Sequence, residues 1–311
     1  MNELVSVIMP CYNAAGFISA AIQSVLDQTY TNFELIIVND GSTDKSEEEI
    51  KKFDDMRIRY FRQGNKGQCI ASNFGISQAR GEYIKFFDAD DVLGSEHLEA
   101  QMKRLNGSKT SVASCAWGRF YDGNPDSAKF IPETVWKDMK PLDWLKAALL
   151  QKYDMMGAWL WMIPAPLLKL AGGWDERLSL NNDFEFSIRL LLHSEEVLFA
   201  ENAKFYYRSG LAHTLSQMRS RKRFEEGLLS TDLGCSYLLD RDSSPEMKRI
   251  CANRYQEWLY RIYPYFPDLE KEVQQKINDL GGSDRIMDGG RISRMLSATL
   301  GWKANKRIRM T

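Results

Sequence analysis

Four short apolar runs in the first ninety residues, each closed by a turn-forming or acidic cluster, leave few folds open. The run Leu4-Val5-Ser6-Val7-Ile8-Met9 is apolar, partly β-branched and ended by Pro10. It shows no polar alternation, as expected of a strand buried on both faces. Phe17, Ile18, Ala21, Ile22, Val25 and Leu26 then recur at helical spacing. Residues 33–38 form a second strand that stops at Asn39-Asp40-Gly41-Ser42-Thr43-Asp44, a turn-rich cluster also able to cap a following helix. Residues 57–61 read as a third strand, Gly64-Asn65-Lys66-Gly67 as a loop before a helix ending near Ala79, and residues 83–87 as a fourth strand. This alternation predicts a parallel α/β sheet. Ligands of such sheets sit beyond the carboxyl ends of the strands. The loops carrying Pro10-Cys11-Tyr12, Asp40-Gly41-Ser42 and Asp88-Ala89-Asp90 therefore share one crevice.

The last of these loops carries the strongest chemistry. Asp88, Asp90 and Asp91 lie within four residues, and carboxylates so close repel one another unless a cation sits among them. Hard oxygen ligands suit Mg²⁺ or Mn²⁺, and those ions suit a diphosphate. An Asp-rich turn capping the next helix is the plain alternative, and the decapeptide 82–91 alone does not decide between them. No Gly-x-Gly-x-x-Gly follows the first strand and no Gly-x-x-x-x-Gly-Lys-Ser/Thr occurs. A nicotinamide dehydrogenase and a P-loop NTPase both lose ground. A nucleotide held by an aromatic ring, an acidic side chain and a metal fits better.

Residues 106–215 are mixed. Residues 112–115 and 159–163 read as strands and 141–150 as a helix. A short helix after Pro164 ends at Gly172-Gly173. Asn181 or Asn182 is a natural cap for a helix with Phe184, Ile188, Leu191 and Leu192 on one face. Asp183 then falls in its first turn, where the helix dipole keeps a carboxylate ionised, a suitable state for a general base. Acidic residues are also ordinary in first turns. His97 and His193 read as packed or surface residues. From residue 216 the pattern turns helical, with stripes through Phe224 to Leu239 and Met247 to Ile262, and a third helix stopping at Gly281-Gly282. The segment 291–310 carries Arg291, Arg294, Lys303, Lys306, Arg307 and Arg309 and no acid. It suits either an anionic membrane surface or a solvated helix packed on its neighbours.

A length of 311 residues suggests roughly two domains. A formal net charge of −1 and a pI of about 6.4 provide no basic field for nucleic acid. Five scattered cysteines without a Cys-x-x-Cys pair argue for reduced thiols, a cytoplasmic setting and no zinc site. The N-terminus carries no signal peptide pattern. The longest uncharged stretch, 155–168, is too short to span a bilayer and is broken by Pro164 and Pro166.

Three blocks of sequence together resemble the family 2 glycosyltransferases. They are Val5 to Asn13, Ser24 to Tyr30 and Phe33 to Asp44. Gly81-Glu82-Tyr83-Ile84 through Asp88-Ala89-Asp90-Asp91 resembles that family's DXD segment. Gly172-Gly173-Trp174-Asp175-Glu176 and Asn182-Asp183 resemble its Gly-Gly-Phe-Asp-Glu and base motifs. The resemblance covers residues 4 to about 215. It implies a GT-A fold, a Rossmann-like, mostly parallel sheet flanked by helices. Residues 1–105 would be the nucleotide-binding half and 106–215 the acceptor half; the helical extension over 216–311 lies outside the resemblance.

By position, the resemblance implies Pro10, Tyr12 and Asn13 at the nucleotide pocket, Asp40 on the base and Asn65 near it. It further implies Asn73 and Ala89 in nucleotide binding, Asp88 at the ribose or the metal, and Asp90 on the divalent cation, Mn²⁺ or Mg²⁺. His213 would be a metal or diphosphate contact, Asp183 the catalytic base, and Trp174 and Asn182 would lie on the acceptor side. The implied reaction is inverting transfer from a nucleotide-sugar, with a UDP-sugar expected, to a hydroxyl of a glycan or lipid-linked acceptor in bacterial surface polysaccharide synthesis. The enzyme would be cytoplasmic or peripheral on the inner membrane face, with the C-terminal helices contacting membrane or forming a homodimer. Two departures stand out. Ser72 replaces the usual Arg of Ala-Arg-Asn, and Asn182 replaces the frequent Glu before Asp183. The missing Arg supports a second class, a catalytically weak nucleotide-sugar-binding or scaffolding subunit; the intact Asp88, Asp90 and Asp183 oppose it. A nucleotidyltransferase would need a basic Gly-rich loop near the first strand, which is absent.

Overall fold

In the computed structural model, which describes residues 3–121, 123–151, 155–210, 220–287, 289, 299 and 301–308, the four N-terminal runs all form strands. They are β1 (Val5–Cys11), β2 (Phe33–Asp40), β3 (Ile58–Gln63) and β4 (Tyr83–Phe86). β2 and β4 are buried along their whole length and β1 at all but one position, which is why their sequences lack alternation. β1 pairs in parallel with both β2 and β4, and β2 with β3. The crossovers are helices α1 (Ile18–Leu26), α2 (Ser46–Ile50) and α3 (Gln68–Gln78). α3 packs close on β1: a Cβ on Gly75 would lie 2.4 Å from Ile8 Cγ2.

After β5 (Val92–Leu93) and α4 (His97–Leu105) come β6 (Val112–Phe120), β7 (Lys129–Phe130), α5 (Pro141–Leu150), β8 (Met162–Pro164), α6 (Ala165–Ala171), α7 (Asn182–Leu192) and β9 (Val197–Arg208). The sheet order is β3-β2-β1-β4-β8-β6-β9-β5, with β7 on β6. The expected parallel character holds for the first half and for β6 with β9, whereas β8, β5 and β7 pair antiparallel. The result is an α/β fold.

Two local expectations change, and one strand was not foreseen. Residues 159–163 were expected as a strand, but Ala158–Leu160 is a 3₁₀ turn and only Met162–Pro164 pairs. The carbonyls of Trp159 and Leu160 accept from the buried side chains of Lys85 and Gln101, so they are not free for a ladder. The expected strand 112–115 runs on to Phe120. β9 has no clear period in sequence because its register against β6 jumps: Cys115 faces Ala200 while Ala116 faces Lys204.

The chain divides into two compact units, residues 1–218 and 219–311. The second is built from α8 (Arg221–Arg241), α9 (Pro245–Ile262), α10 (Pro267–Asp279) and α11 (Trp302–Ile308). Pro245 stands at the first helical position and the Ser244 hydroxyl accepts from Met247 N, capping α9. Gly227 of α8 sits against Trp258 of α9. A Cβ there would come within 2.3 Å of a ring whose Nε1 is fixed 2.6 Å from Thr231 Oγ1. Gly227→Ala is therefore expected to destabilise by about 1–2 kcal/mol in urea unfolding, overpacking outweighing the gain in helix propensity; an increase in stability would show that Trp258 yields.

In the basic terminal segment, Lys303 pairs with Glu270, and Lys306 Nζ donates to the carbonyls of Tyr260 and Tyr263 at the end of α9, where the helix dipole favours a cation. These two cations face their own unit. Arg291, Arg294 and Arg309 lie outside the described residues. Among the described residues no helix is long and apolar enough to cross a membrane.

Candidate active site

The carboxyl ends of β1, β2 and β4 meet as the topology requires. The β2 loop is held by its own side chains. Asn39 Oδ1 accepts from Ser42 N at 2.8 Å, and Asn13, in a left-handed conformation with φ 49°, accepts from Thr43 N at 2.8 Å. Asp40 is 3% exposed. Its carboxylate accepts from Gln63 Nε2 at 2.7 Å, Lys66 N at 2.9 Å and Gly67 N at 2.7 Å. Gly41 (φ +76°) passes so near this loop that a Cβ would lie 2.6 Å from Asn65 N. Asp40 thus ties the loop carrying Asn65 to the end of β2, and Asn13 ties the β1 loop to the β2 loop. Both do structural work at the rim where a direct nucleotide contact was expected. Tyr12 stands 48% exposed at the end of β1.

One pocket is lined by Pro10, Gln68, Ser72, Phe86, Phe87, Asp88, Ala158, Trp159, Trp174 and Asp183. It brings together four of the expected residues: Pro10, Asp88, Trp174 and Asp183. Ser72, 1% exposed, lies in its wall, at the position where the resemblance leads one to expect a cation. Two expected residues face elsewhere. Asn73 has its amide engaged by the acceptor-side loop, with Nδ2 donating to Trp174 O and Glu176 Oε1 at 2.9 Å and Oδ1 accepting from Trp174 N at 2.8 Å. Asn182 is buried and donates towards Cys69 Sγ at 3.3 Å and Gln68 Oε1 at 3.5 Å, so it braces α7 against α3 where acceptor contact was expected.

The acidic loop is electrostatically loaded. Burial, then Asp90 and Asp183, push the Asp88 carboxyl up to about 8, against a hydrogen bond from Gln68 Nε2 at 3.1 Å. Burial raises Asp90, and burial with Asp90 and Asp88 raises Asp91 well above the carboxylate range. Arg208 clamps this loop: its backbone N–H donates to Asp91 Oδ1 at 2.7 Å and its Nε to Asp90 O at 2.5 Å. Two crowded carboxyls with hard oxygen donors match a divalent cation, which would relieve their repulsion. Among the described residues no group of three His, Cys, Asp or Glu converges as a ligand set. His213 lies outside the described residues.

Asp183 opens α7, and its Oδ1 accepts from Ala158 N at 2.8 Å. Burial makes this carboxyl less acidic than its place in a first helical turn alone would. Burial pushes the carboxyl up to about 6, and the Ala158 N–H pulls the other way. Such a group is mostly ionised at neutral pH yet able to hold a proton, as a general base must. The wall opposite is aromatic. Trp174 stacks on Phe186 at 4.3 Å and meets Phe86 edge-on at 5.3 Å. Gln68, Phe86, Phe87, Ala158 and Trp159 were not foreseen. Their only sequence signal was proximity to the motifs, or, for Trp159, an aromatic-rich stretch without charge.

Residues 6–158 match the sequence model of "Glycosyl transferase family 2". The chain is 34% identical over 192 residues to an uncharacterized glycosyltransferase of Rickettsia typhi, covering 61% of this chain and 59% of the relative. It is 28% identical over 222 residues to glycosyltransferase GlyA of Streptococcus pneumoniae (67% and 31%) and 29% over 236 residues to the uncharacterized glycosyltransferase EpsJ of Bacillus subtilis (73% and 67%). The chain thus spans about a third to two thirds of the length of these curated relatives. Among solved structures, residues 1–349 of S. aureus TarS in complex with UDP-GlcNAc superpose with a TM-score of 0.69 at 19% identity, over 89% of this chain and 80% of that one, a likeness of fold. A family-model match that spans β1, β2 and the acidic loop after β4, on a GT-A-like sheet, marks residues 6–158 as a glycosyl transferase family 2 region.

Proposed function

We propose that the protein transfers a sugar from a nucleotide-sugar to an acceptor hydroxyl with inversion, using Asp183 as general base. The observation that carries this reading is the Asp183 carboxylate, raised to about 6 and held by the Ala158 N–H, in the same pocket as Asp88. The acceptor O–H loses its proton to Asp183. The oxygen forms a bond to the anomeric carbon as the bond from that carbon to the diphosphate oxygen breaks, and the electron pair leaves with the nucleoside diphosphate. Attack comes from the face opposite the leaving group, so the configuration inverts. A divalent cation held by Asp88 and Asp90, when bound, neutralises charge on the diphosphate. The buried aromatic wall of Trp174 and Phe86 limits the access of water to the anomeric centre. A UDP-sugar is the proposed donor, in keeping with the UDP-GlcNAc complex of the structural neighbour. The proposed acceptor is a glycan or lipid-linked glycan of a bacterial surface polysaccharide.

A thermal-shift panel of UDP, GDP, dTDP and CMP with Mn²⁺, Mg²⁺ or EDTA tests the nucleotide. UDP at about 100 times its dissociation constant is expected to add roughly 2.7 kcal/mol of stability with Mn²⁺ and much less with EDTA. UDP release from UDP-sugars tests the chemistry. A metal-dependent shift without release from any of them would replace the enzyme by the nucleotide-sugar-binding subunit that Ser72 favours. No shift with any nucleotide would reject both.

A further inference from the structure

Lys85 is a charge in the wrong place for an ordinary core. It lies in the middle of β4, three residues before Asp88, and is 0% exposed. Among the described residues no carboxylate reaches it. Its Nζ donates to two neutral oxygens, the Trp159 carbonyl at 2.5 Å and Gln101 Oε1 at 3.0 Å. The other ionisable groups facing it are His97 of α4 and the Cys115 thiol of β6, both kept neutral by burial. An amine enclosed without a counter-ion opposes folding, and an apolar side chain of the same length would fill the site at less cost. A role other than stability is indicated.

The hydrogen bonds show where its effect goes. Gln101, itself 0% exposed, donates Nε2 to Leu160 O and to Ala113 O, both at 2.9 Å. Lys85 and Gln101 together therefore grip two successive carbonyls of the turn Ala158–Leu160 from the β4 and α4 side. From the α7 side, Ser187 Oγ donates to Met156 O at 2.7 Å and accepts from Trp161 Nε1 at 3.0 Å. On the pocket side of this turn, Ala158 N–H holds Asp183. The chain enters the turn close against its own aromatic ring: a Cβ on Gly157 would meet Trp159 Nε1 at 2.1 Å, so glycine is needed there.

We infer that Lys85 is a positioning residue for the base: with Gln101 it brackets the turn Ala158–Leu160 and so fixes the N–H that orients the Asp183 carboxylate towards the acceptor. The inference rests on the reading of Asp183 as the base. Its special content is that a residue of the nucleotide-binding half, on the same strand as the acidic loop, sets the geometry of the base on α7. A base displaced by about 1 Å loses on the order of 10²-fold in rate.

The test uses the full chain and three variants, Lys85→Met, Lys85→Arg and Gln101→Met. Lys85→Met keeps length and removes the donor. Hydrogen exchange is expected to accelerate tenfold or more in the peptide covering 156–161 and to stay unchanged in β1 and β2. The rate of UDP release from a UDP-sugar is expected to fall about 10²-fold while the dissociation constant of UDP with Mn²⁺ stays within twofold. Lys85→Arg, which retains donors, restores protection and rate. Lys85→Met combined with Asp183→Asn is no slower than Asp183→Asn alone, since both act through one carboxylate. Should Lys85→Met fail to fold, Gln101→Met removes the other arm of the bracket and is expected to give the same exchange pattern and the same split of rate from affinity. Unchanged exchange at 156–161, or equal losses of UDP affinity and rate, overturns the inference. A wild-type protein that turns over no nucleotide-sugar, or an Asp183→Asn protein of full activity, overturns the base assignment instead, and the exchange pattern still decides the bracket.

Discussion

Asp183→Asn is expected to lower sugar transfer by about 10²- to 10⁴-fold, the range of general-base assistance, while UDP affinity is retained. The substitution keeps shape, and the Asn Oδ1 can still accept from Ala158 N, so the turn and α7 stay in place. Only the capacity to take a proton is removed. The same variant is expected to be more stable than the wild type at pH 8. The carboxyl sits at about 6 in the folded protein against an ordinary 3.8. Between these values the folded protein holds a proton that the unfolded chain has already released, so stability falls as pH rises through this window and stays low above it. Asparagine carries no such penalty. Allowing for solvent at the pocket mouth, the gain is on the order of 1–2 kcal/mol above pH 6 and vanishes below pH 4. Melting temperatures of both ligand-free proteins at pH 4, 6 and 8 check this. Parallel curves would mean that Asp183 titrates like an exposed aspartate, and full transfer activity would remove it from the base role.

Trp174→Ala is expected to be the most damaging substitution in the pocket for stability, at about 3–5 kcal/mol in denaturant unfolding. The ring is 6% exposed and wedged between Phe186 and Phe86. Trp174→Phe separates packing from polarity. Nε1 of Trp174 is buried with no hydrogen-bond partner among the described residues. A buried donor left unpaired is costly, so the phenylalanine protein is expected to lose less than about 1.5 kcal/mol when ligand-free. If that N–H is reserved for a ligand, the same variant binds the UDP-sugar about tenfold more weakly while binding UDP alone normally. Equal affinity for both would leave Trp174 a packing residue.

The parallel half of the sheet was legible because β1, β2 and β4 are almost wholly buried and therefore read as unbroken apolar runs between turn clusters. Asp183 and the acidic loop stood out by residue type and by their positions at element ends, but each had an ordinary turn or first-turn reading, and only the resemblance gave them roles. Three kinds of feature were not legible. β9 hides its period behind the register jump opposite Cys115 and Ala116, and a reading based on alternation finds nothing to count. The 3₁₀ turn Ala158–Leu160 has strand-like composition; what stops it pairing is the capture of its carbonyls by Lys85 and Gln101, which are 74 and 59 positions away in sequence. The bracing partners of Asn73 and Asn182 were not legible for a similar reason. Short amides near a site serve equally well as ligand contacts or as braces, and only the positions of Trp174, Gln68 and Cys69 in space decide which.

The helix α3 has a consequence for recombining such enzymes. Along one face it is joined to the segment 173–182 three times over: Gln68 and Cys69 meet Asn182, Cys69 Sγ also reaches Leu178 O at 3.1 Å, and Asn73 clips the Trp174 backbone. A Cβ on Gly173 would lie 2.6 Å from Asn73 Oδ1, so the clip closes only over glycine. A crossover placed between residues 105 and 106, the boundary that the resemblance leads one to expect between the two halves, would cut through all of these pairs. Chimaeras that change acceptor preference should therefore carry the 68–73 face along with the grafted half, and a library that respects this seam should yield a larger folded fraction than one that cuts between the halves.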